Sequence, residues 1–406
     1  MSVLKIRKLI LISVIIVIGI VLAWGVTFYW MYLRGIGPLI GGPDKDIVDI
    51  IDTNPSPGQN NTQFPLSLPD GFRISIAAKD LSGVRVIQFD SFGNIWASQT
   101  EKGTVSLLEM ENGVAIRQNV LLRNLNKPHG LAFDPKFPTK LYIAQEDKIV
   151  TLPTYSDGGP ETLANLPKGG RHTTRTLGFS PDGDLYVSIG STCDVCQEKN
   201  DKIAKIHRVD TVTGVLTEFA RGLRNAVFFT FHPITKKMWA TEMGRDLLGD
   251  DLPPDEINII ENGQNYGWPI CYGKNIHDTQ FDKNTYIRNP CMDPFETPSY
   301  IDLPAHSAPL GLAFIPKNSS WPKEYQGDLL VAYHGSWNRS EPTGYKIVRI
   351  KLSSNGEYEG TEDFISGWLD NGSALGRPVD LKFGPDNNLY VTDDRAGVIY
   401  KVQYIP

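Results

Sequence analysis

Residues 176–190 read TLGFSPDGDLYVSIG: a short apolar segment, a turn of Pro, Asp and Gly, and a second apolar segment that ends in small residues. Turn residues between two such segments predict an antiparallel pair of strands. The same order recurs five times, and the copies are residues 86–99 (VIQFDSFGNIWASQ), 130–145 (GLAFDPKFPTKLYIAQ), 227–242 (VFFTFHPITKKMWATE), 311–334 (GLAFIPKN, then GDLLVAYH) and 380–394 (DLKFGPDNNLYVTDD). A repeated strand pair is therefore the unit of this chain.

The spacing of the repeats indicates the architecture. The second strand of each copy is predicted to begin at Ile95, Leu141, Leu185, Met238, Leu329 and Leu389. The first spacings are close to one four-stranded propeller blade of about 40–45 residues plus a loop. A single blade cannot cover both faces of its sheet, so blades stack around an axis and their loops meet at a central pocket. The sequence predicts an all-β, six-bladed β-propeller over residues 66–406; a pair of β-sandwiches is the alternative.

The wide spacing between the fourth and fifth copies predicts an insertion. Residues 239–328 are expected to hold a long loop excursion at one mouth of the channel, where long loops commonly shape a site. Cys271 and Cys291 flank part of this stretch and could form a disulfide. Cys193 and Cys196 lie in a CDVC turn, where a local disulfide or free thiols fit better than zinc, since no second ligand pair is nearby.

The N-terminal region is unlike the rest of the chain. Residues 9–33 (LILISVIIVIGIVLAWGVTFYWMYL) carry no charge and are long enough to cross a hydrocarbon core of roughly 30 Å. They predict a transmembrane anchor; a cleaved signal peptide is the alternative. The cations of residues 1–8 predict a cytoplasmic N-terminus and an extracytoplasmic propeller. Residues 34–65, rich in Gly, Pro and Asn, are expected to be a linker.

Charge excludes one class of partner. The chain has 40 Lys and Arg against 46 Asp and Glu, and the first 34 residues hold four of the cations and no acid. The remainder therefore carries a net charge of −10, and we expect no nucleic-acid binding. An anionic ligand would need a local group of cations.

Such a group is predicted at the starts of the repeats. His172 precedes the third copy, where a histidine can act as a general base near neutral pH. Arg224 and Asn225 precede the fourth copy, and Arg377 precedes the sixth. Each could instead serve structure alone, as a hydrogen-bonded loop histidine or a surface ion pair, but their matching positions favour a small anionic ligand on the axis.

Other candidates lie in the loops. Residues 242–256 are acidic and rich in turn residues, which suits calcium bound by carboxylates or backbone carbonyls, although a solvated loop is equally compatible. Tyr266, Trp268 and Trp337 lie among turn residues, where they could stack on a planar ring or a sugar, or fill the channel.

An ordered set of segments, spread over residues 68–402, resembles the soluble-type PQQ-dependent glucose/sorbosone dehydrogenases, and most closely the L-sorbosone dehydrogenase branch. The segments are RHTTRTLGFSPDGDLYVSIGSTCDVC, FARGLRN, ATEMGRDLLGDDLPPDEIN, NYGWP, AHSAPLGLAF, GDLLVAYHGSWNRSEPTGYK and GRPVDLKFGPD followed by LYVTDDRAG. The resemblance implies a six-bladed propeller that holds pyrroloquinoline quinone (PQQ) and calcium on its axis. It also implies oxidation of an aldose or sugar aldehyde, with a quinone or cytochrome as electron acceptor.

The resemblance also implies residue roles. His172 matches the base, Arg224 the arginine that stabilises the reduced quinone oxygen, and Asn225 its cofactor-binding neighbour. The backbone carbonyls of Gly244 and Arg245 match the calcium ligands, and Tyr266 and Trp268 the pocket aromatics.

The chain departs from the glucose-oxidising members at several positions. Arg171 stands where they have an aspartate before the base, His334 where they have a cofactor-binding lysine, and Val379 where they have a second arginine. His334 or Arg339 is expected to supply the missing charge, and His129 lies near the place of a family glutamine.

Two further functions suit the same residues. A calcium-dependent propeller lactonase or other hydrolase would use the acidic loop and the axial histidines. A non-catalytic propeller would bind glycans or proteins through its exposed aromatics. Lactone turnover without quinone would identify the first alternative, and loss of glycan binding in Trp268→Ala the second.

Overall fold

The computed structural model describes residues 3–36 and 60–406. The apolar segment forms helix α1 (Val3–Phe28), followed by a π-helical turn (Tyr29–Leu33) and a 3₁₀ turn (Arg34–Ile36). Ile10–Ile36 is long and apolar enough to cross a membrane, a test that a signal sequence also passes. Most of the predicted linker lies outside the described residues. The first strand of the propeller begins at Asn60, six residues before the predicted boundary.

The strands of residues 60–406 form five four-stranded sheets and one five-stranded sheet, together with two short two-stranded pairs, which confirms the all-β, six-bladed propeller. Two strands come before the first complete blade: β1 (Asn60–Asn61) and β2 (Phe72–Ala78). Blade one contains β3 (Val84–Phe89), β4 (Ile95–Gln99), β5 (Thr104–Glu111) and β6 (Val114–Leu122). Blade two contains β7 (Leu131–Phe133), β8 (Lys140–Ala144), β9 (Lys148–Pro153) and β10 (Glu161–Asn165). Blade three contains β11 (Leu177–Phe179), β12 (Leu185–Ile189), β13 (Lys205–Val209) and β14 (Leu216–Arg221).

Blade four carries the insertion. Its strands are β15 (Phe228–Phe231), β16 (Met238–Glu242), β17 (Asp255–Ile260) and β20 (Ile301–Leu303), with the short pair β18 (Cys271–Tyr272) and β19 (Ile276–His277) inside the excursion. Blade five contains β21 (Pro309–Phe314), β22 (Leu329–Tyr333), β23 (Lys346–Leu352) and β24 (Tyr358–Ile365), followed by the pair β25 (Leu369–Asp370) and β26 (Ser373–Ala374). Blade six begins with β27 (Pro378–Phe383), β28 (Leu389–Asp393) and β29 (Val398–Tyr404).

The N-terminal strand closes the ring. The order of the sixth sheet is β1-β2-β29-β28-β27, so strand β2 from the start of the domain completes the blade made by its end. Strand β2 pairs antiparallel with β29, with Ile74 opposite Val402. Closure in this way joins both ends of the domain in one sheet and completes the ring of blades.

A repeated aromatic pair packs the blades together. The phenylalanine of each first strand contacts an aromatic residue of the preceding blade. Ring centroids lie 5.1–6.1 Å apart in the pairs Trp96–Phe133, Tyr142–Phe179, Tyr186–Phe231, Trp239–Phe314, Trp321–Phe383 and Tyr390–Phe89. The phenylalanines occupy the same position of every repeat. The repeated motif therefore specifies the interfaces between the blades as well as the strands.

Burial within each blade follows distance from the axis. Every residue of β12 is buried, because neighbouring blades cover both faces of the sheet there. The outer strand β6 has an exposed pattern along most of its length. The second strands of the blades therefore lack the alternation of apolar and polar residues that a sheet with one solvated face would show.

Both pairs of cysteines form disulfides, Cys193–Cys196 in the loop after β12 and Cys271–Cys291 in the excursion. A zinc site at the CDVC turn is thereby excluded. The second disulfide joins two parts of the excursion, residues 261–300, to each other.

Candidate functional site

The predicted polar residues lie at one end of the propeller axis. In each antiparallel blade the first strand starts where the second strand ends. His129, His172, Arg224 and Arg377 each come before a first strand, and His334 directly follows the second strand β22. The repeats therefore bring these five residues, which are far apart in sequence, to the same mouth.

A cavity of about 140 Å³ lies at this mouth, and it contains part of the predicted site. The predicted residues that line it are His172, Arg224, Asn225, Gly244 and Trp337. The other lining residues are Arg171, Met243, Asp246, Asp255, His306, Ala308 and Asn338. The loops of blades three, four and five supply all of them. Hereafter we call this space the axial cavity.

His172 is held in one orientation by the end of strand β12. Its Nδ1 lies 3.0 Å from the Ser191 carbonyl oxygen and 2.9 Å from Ser191 Oγ. The Ser191 hydroxyl donates to the carbonyl oxygen of Cys193, so Oγ is left to accept from the imidazole. Nδ1 therefore carries the hydrogen, and Nε2 is the nitrogen able to accept a proton. A Cβ at Gly190 would lie 2.8 Å from both His172 Cβ and Asn225 Oδ1, so glycine leaves room for the two side chains.

The surroundings of His172 favour its neutral form. Burial lowers its pKa to about 3, and the positive charges of Arg224 and Arg171 contribute to the shift. The imidazole is therefore uncharged at neutral pH. A neutral imidazole with a free Nε2 can act as a general base.

Arg224 is the central cation of the axial cavity. Its side chain is 4% exposed. Nη2 lies 2.7 Å from Asp194 Oδ1 and 3.4 Å from Asp246 Oδ2, and Nη1 donates to the Met243 carbonyl oxygen over 3.2 Å. Although burial opposes the charge of Asp194, Arg224 and the Asp246 backbone N–H hold the pKa of this carboxyl below its ordinary value.

Asp246 links three sides of the cavity. One carboxylate oxygen accepts from Arg171 and Arg224, and the other accepts from Asn338 Nδ2 over 3.1 Å. Burial and the like charge of Asp194 raise the pKa of Asp246. Asn338 is buried, and its Oδ1 has no hydrogen-bond partner within residues 3–36 and 60–406. Because Asn338 Nδ2 donates to Asp246, the atom of this amide that has no partner is a hydrogen-bond acceptor.

Two carboxyl groups lie deeper. Asp255 accepts from the backbone N–H groups of Gly244 (3.0 Å) and Ala308 (2.9 Å), and burial raises its pKa to about 7. Burial also raises the pKa of Glu242, which accepts from the Asn225 N–H over 2.8 Å. Burial therefore disfavours the charged form of both acids.

The donors of the axial cavity suit a small polycarboxylate. Arg171, Arg224 and Asn225 offer cationic and amide N–H groups to it, as a tricarboxylate such as PQQ requires. The volume is below the 300–1,000 Å³ typical of ligand pockets, so a tricyclic ligand needs side chains to move. Arg171 is suited to this because its side chain is 41% exposed and stacks over Trp337 with 5.7 Å between its Cζ and the ring centroid.

The remaining predicted cofactor residues form a second group at the mouth. His334 Nε2 lies 3.0 Å from both oxygens of Asp394, which also pairs with Arg85. Arg377 donates to the backbone carbonyls of His334 (3.0 Å) and Gly335 (2.7 Å). Neither His334 nor Arg377 lines the axial cavity. Burial and Arg377 lower the pKa of His334 to about 4, so it is neutral and brings no cation in place of the family lysine.

His129 and Arg339 also lie outside the lining of the axial cavity. His129 is fully buried, with Nδ1 3.3 Å from the Arg175 carbonyl oxygen, and burial lowers its pKa well below the ordinary value. Arg339 pairs with Asp251 at 2.9 Å and with the backbone of Asp250. It therefore ties together two loops of the rim.

Three further candidates have other contacts. Arg245 pairs with Asp278 at 2.8 Å, while Gly244, its neighbour in the predicted calcium site, lines the axial cavity. Tyr266 is buried, and its hydroxyl donates to the Ile259 carbonyl oxygen over 2.7 Å, which is a structural role. Trp268 Nε1 donates to the Asp194 carbonyl oxygen over 3.3 Å.

Trp268 also lines a larger cavity of about 910 Å³ beside the excursion. Apolar side chains such as Ile287 and Phe295 form part of its wall, and neither His172 nor Arg224 does. Glu296 borders it, and burial and Glu256 raise the pKa of Glu296 to about 9. Both carboxyl oxygens of Glu296 are inaccessible to solvent, so this group is a packed neutral acid. The larger cavity is lined by charged side chains such as Glu198, Lys205 and Arg221, but by none of the residues predicted for catalysis or cofactor binding.

Sequence reasoning missed three carboxylates of the site: Asp194 and Asp246, which bind Arg224, and Asp255, which accepts from the backbone. Asp246 and Asp255 fall within the acidic run that was considered only for calcium, and Asp194 lies inside the CDVC turn. His306 was also missed, although it precedes the first strand of the fifth repeat just as His172 precedes that of the third. The position within the repeat was the signal that could have identified it.

Comparison with protein families extends this description. The model of the TrAA12-like family matches residues 66–405. An uncharacterized protein of Borreliella burgdorferi is 33% identical over 359 residues, which cover 84% of this chain and 91% of that protein. The pyrroloquinoline quinone-dependent pyranose dehydrogenase of Coprinopsis cinerea is 25% identical, with 86% of this chain and 56% of the fungal protein covered. The match therefore spans little more than half of the fungal enzyme.

Solved structures show the same fold. The holo form of the pyranose dehydrogenase PQQ domain from Coprinopsis cinerea has a TM-score of 0.70 at 21% identity, covering 84% of this chain and 97% of that chain. A carbohydrate-active enzyme of family AA12 from Trichoderma reesei has a TM-score of 0.73 at 21% identity, covering 84% and 98%. The resemblance inferred from sequence is thus confirmed at family level, while the sorbosone branch stays a prediction.

Proposed function

Because the chain belongs to the TrAA12-like family, we propose that it is a membrane-anchored, PQQ- and calcium-dependent dehydrogenase that oxidises an aldose or a related sugar aldehyde. The observation that carries the proposal is the arrangement of the axial cavity. A neutral His172, oriented by Ser191, lies beside a buried Arg224 in a propeller of this family.

His172 is the proposed base. Oxidation at the anomeric carbon of an aldose removes a hydroxyl proton and a hydride and leaves a lactone. His172 Nε2 takes the proton, since Nδ1 is committed to Ser191. The low pKa of His172 keeps this nitrogen unprotonated at neutral pH.

Arg224 and Asn225 are the proposed cofactor contacts. When bound, PQQ supplies the electron sink that accepts the hydride. Arg224 provides a positive charge where negative charge develops on reduction, and its bonds to Asp194 and Asp246 fix the guanidinium in advance. Arg171 adds a second cation toward the carboxylates. Arg377, His334, Arg339 and His129 retain their proposed cofactor role only if binding rearranges the mouth.

Calcium is proposed at residues 243–246, through the carbonyl oxygens of Gly244 and Arg245. Gly244 lines the axial cavity, and the carboxylates of Asp246 and Asp255 lie beside it. Oxygen ligands of this type are those that calcium prefers.

The reaction needs an acceptor for two electrons, for which we propose a quinone or a cytochrome. The anchor would place the propeller outside the cytoplasm, because the cations of residues 1–8 precede the span. Trp337 and Trp268 remain the proposed contacts for the sugar. Tyr266 was proposed with them, but it is buried and its hydroxyl is bonded to the Ile259 carbonyl oxygen.

Reconstitution of the full chain in detergent tests the proposal. PQQ is titrated with and without calcium, bound cofactor is measured by absorbance, and dye reduction is measured with a panel of aldoses and aldehydes. Calcium-dependent PQQ binding followed by sugar-dependent reduction is expected. Absence of PQQ binding, or lactone hydrolysis without PQQ, would exclude this function.

A further inference from the structure

The end of the membrane helix contacts the rim of the axial cavity. Gly35, in the 3₁₀ turn after α1, is buried against the propeller, and a Cβ at this position would collide with the carbonyl oxygen of Arg339. Arg34 lies 3.7 Å from Glu341, although both side chains are too exposed for this ion pair to hold the contact alone. The close backbone approach at Gly35 is therefore the main contact.

The segment that Gly35 touches belongs to the site itself. Trp337 and Asn338, the residues just before Arg339, line the axial cavity. Consecutive residues are about 3.8 Å apart, so the end of the helix lies within two or three residues of the cavity. The polypeptide at the outer end of the span is thus fixed to the active-site mouth rather than to the far end of the propeller.

A second loop of the rim is bound to the same segment. The Ser340 N–H donates to Asp250 Oδ1 over 2.8 Å, and Arg339 pairs with Asp251. This loop carries two exposed leucines, Leu247 (37%) and Leu252 (45%). Exposed apolar side chains beside a membrane helix are suited to the boundary between lipid headgroups and acyl chains.

The sequence of the membrane segment indicates where the rim lies relative to the bilayer. Aromatic residues and a cation mark the outer end of a membrane segment, and here Trp30 and Arg34 occupy that place, with the Arg34 Cζ 5.9 Å from the Trp30 ring centroid. Because Gly35 follows directly, the loop that it touches lies at the level of the lipid headgroups.

We propose that the anchor holds the mouth of the axial cavity against the bilayer surface, with Leu247 and Leu252 in the interface. The inference rests on the membrane anchoring proposed above. It selects between the two acceptors, because a quinone dissolved in the bilayer can reach a mouth that faces lipid, whereas a soluble cytochrome is kept away. The quinone takes up the two electrons and two protons that the sugar loses and becomes a quinol.

Depth-dependent fluorescence quenching tests the orientation without any need for activity. All four cysteines form disulfides, so an introduced cysteine is the single free thiol for a fluorophore. Three full-length variants are labelled: Leu252→Cys at the rim, Val212→Cys between β13 and β14 at the opposite end, and Val21→Cys in the helix. They are placed in vesicles of zwitterionic lipid, because Asp251 and Glu341 are exposed on the rim and would be repelled by anionic lipid.

Brominated lipids are expected to quench most of the fluorescence at positions 21 and 252 and none at position 212. Quenching at position 21 alone, or equal quenching at 212 and 252, would overturn the orientation while leaving the anchor in place. Absence of quenching at 21 would show that the anchor fails and would overturn the inference with it. None of these outcomes depends on whether the protein oxidises sugars.

A glycine substitution tests the contact itself. Gly35→Val places a Cβ against Arg339 and should abolish quenching at position 252 while preserving it at position 21. Gly25→Val is the matched control, since a Cβ at Gly25 meets nothing within 4 Å and should leave both signals unchanged. Retained quenching at 252 in Gly35→Val would show that Gly35 does not set the orientation.

Discussion

Replacing His172 by glutamine tests the proposed mechanism at the reacting atom. The glutamine amide can still donate to Ser191, but it cannot accept a proton in the pH range of the enzyme. Loss of a positioned general base costs about 10²- to 10⁴-fold in rate. At about 1.4 kcal/mol per factor of ten, this corresponds to a barrier higher by about 3–5 kcal/mol. The structure favours the upper part of the range, because Nε2 of His306, the other imidazole that lines the axial cavity, is bonded to the Gly249 carbonyl oxygen at 2.8 Å.

The assay is steady-state dye reduction at saturating PQQ and calcium, with bound cofactor measured in the same samples. His207→Gln is the matched control. His207 is a buried histidine of β13 in the same blade, bonded through Nε2 to the Lys202 carbonyl oxygen at 3.0 Å and outside the axial cavity. We expect kcat to fall only in the His172 variant, with cofactor binding retained in both. A decrease below tenfold, or an equal decrease in the control, would refute the role of His172.

The pH dependence of the wild-type enzyme checks the same reasoning. Burial and two arginines lower the pKa of His172 to about 3, so the base stays unprotonated well below the ordinary histidine pKa of about 6.5. We therefore expect no decrease in kcat/KM of the wild-type enzyme near pH 6–7 from protonation of His172. The same shift affects stability. An unfolded His172 takes up a proton near pH 6.5 and the folded one only near 3, so the free energy of unfolding should decrease as pH falls through that window.

Two further perturbations follow from the contacts of the site and the excursion. Arg224→Met leaves two aspartates without their buried cation, and we expect a loss of about 3 kcal/mol in urea unfolding together with weaker PQQ binding; an unchanged midpoint would contradict the ion-pair description. Replacing Cys271 and Cys291 by serine opens a loop of sequence separation 20 and should cost about 3 kcal/mol, whereas the same change at Cys193 and Cys196, with a separation of 3, should cost less stability and mainly weaken cofactor binding. Equal losses of stability in the two double variants would contradict this ranking.

The repeat could be recognised in the sequence because the same residues form the strands and pack the blades against each other. The predicted starts of the second strands agree with the structure at five of six positions, and β8 begins one residue earlier, at Lys140. The repeated phenylalanines, such as Phe179, also pack against the preceding blade. A residue that is needed for both the strand and the interface must recur in every blade, so the repeated sequence pattern reveals the number of blades.

Only some of the residues of the site could be predicted from the sequence. His172, Arg224 and Asn225 precede first strands, and the propeller brings them to one cavity for that reason. Arg377 has an equivalent place in its repeat, yet its guanidinium binds the carbonyls of His334 and Gly335. Position in a repeat determines which mouth a residue reaches. The direction of a long flexible side chain depends on neighbours from other blades, which the repeat does not specify.

By itself, the sequence determined the six blades, the apolar N-terminal segment and the mouth at which the polar residues gather, since each follows from local patterns of apolar and turn residues. Only the tertiary structure decided that Asp194 and Asp246 hold Arg224, that burial keeps His172 neutral, and that the rim at Arg339 meets Gly35. These properties depend on charges and backbone atoms that are distant in the chain and become neighbours only when the ring of blades closes.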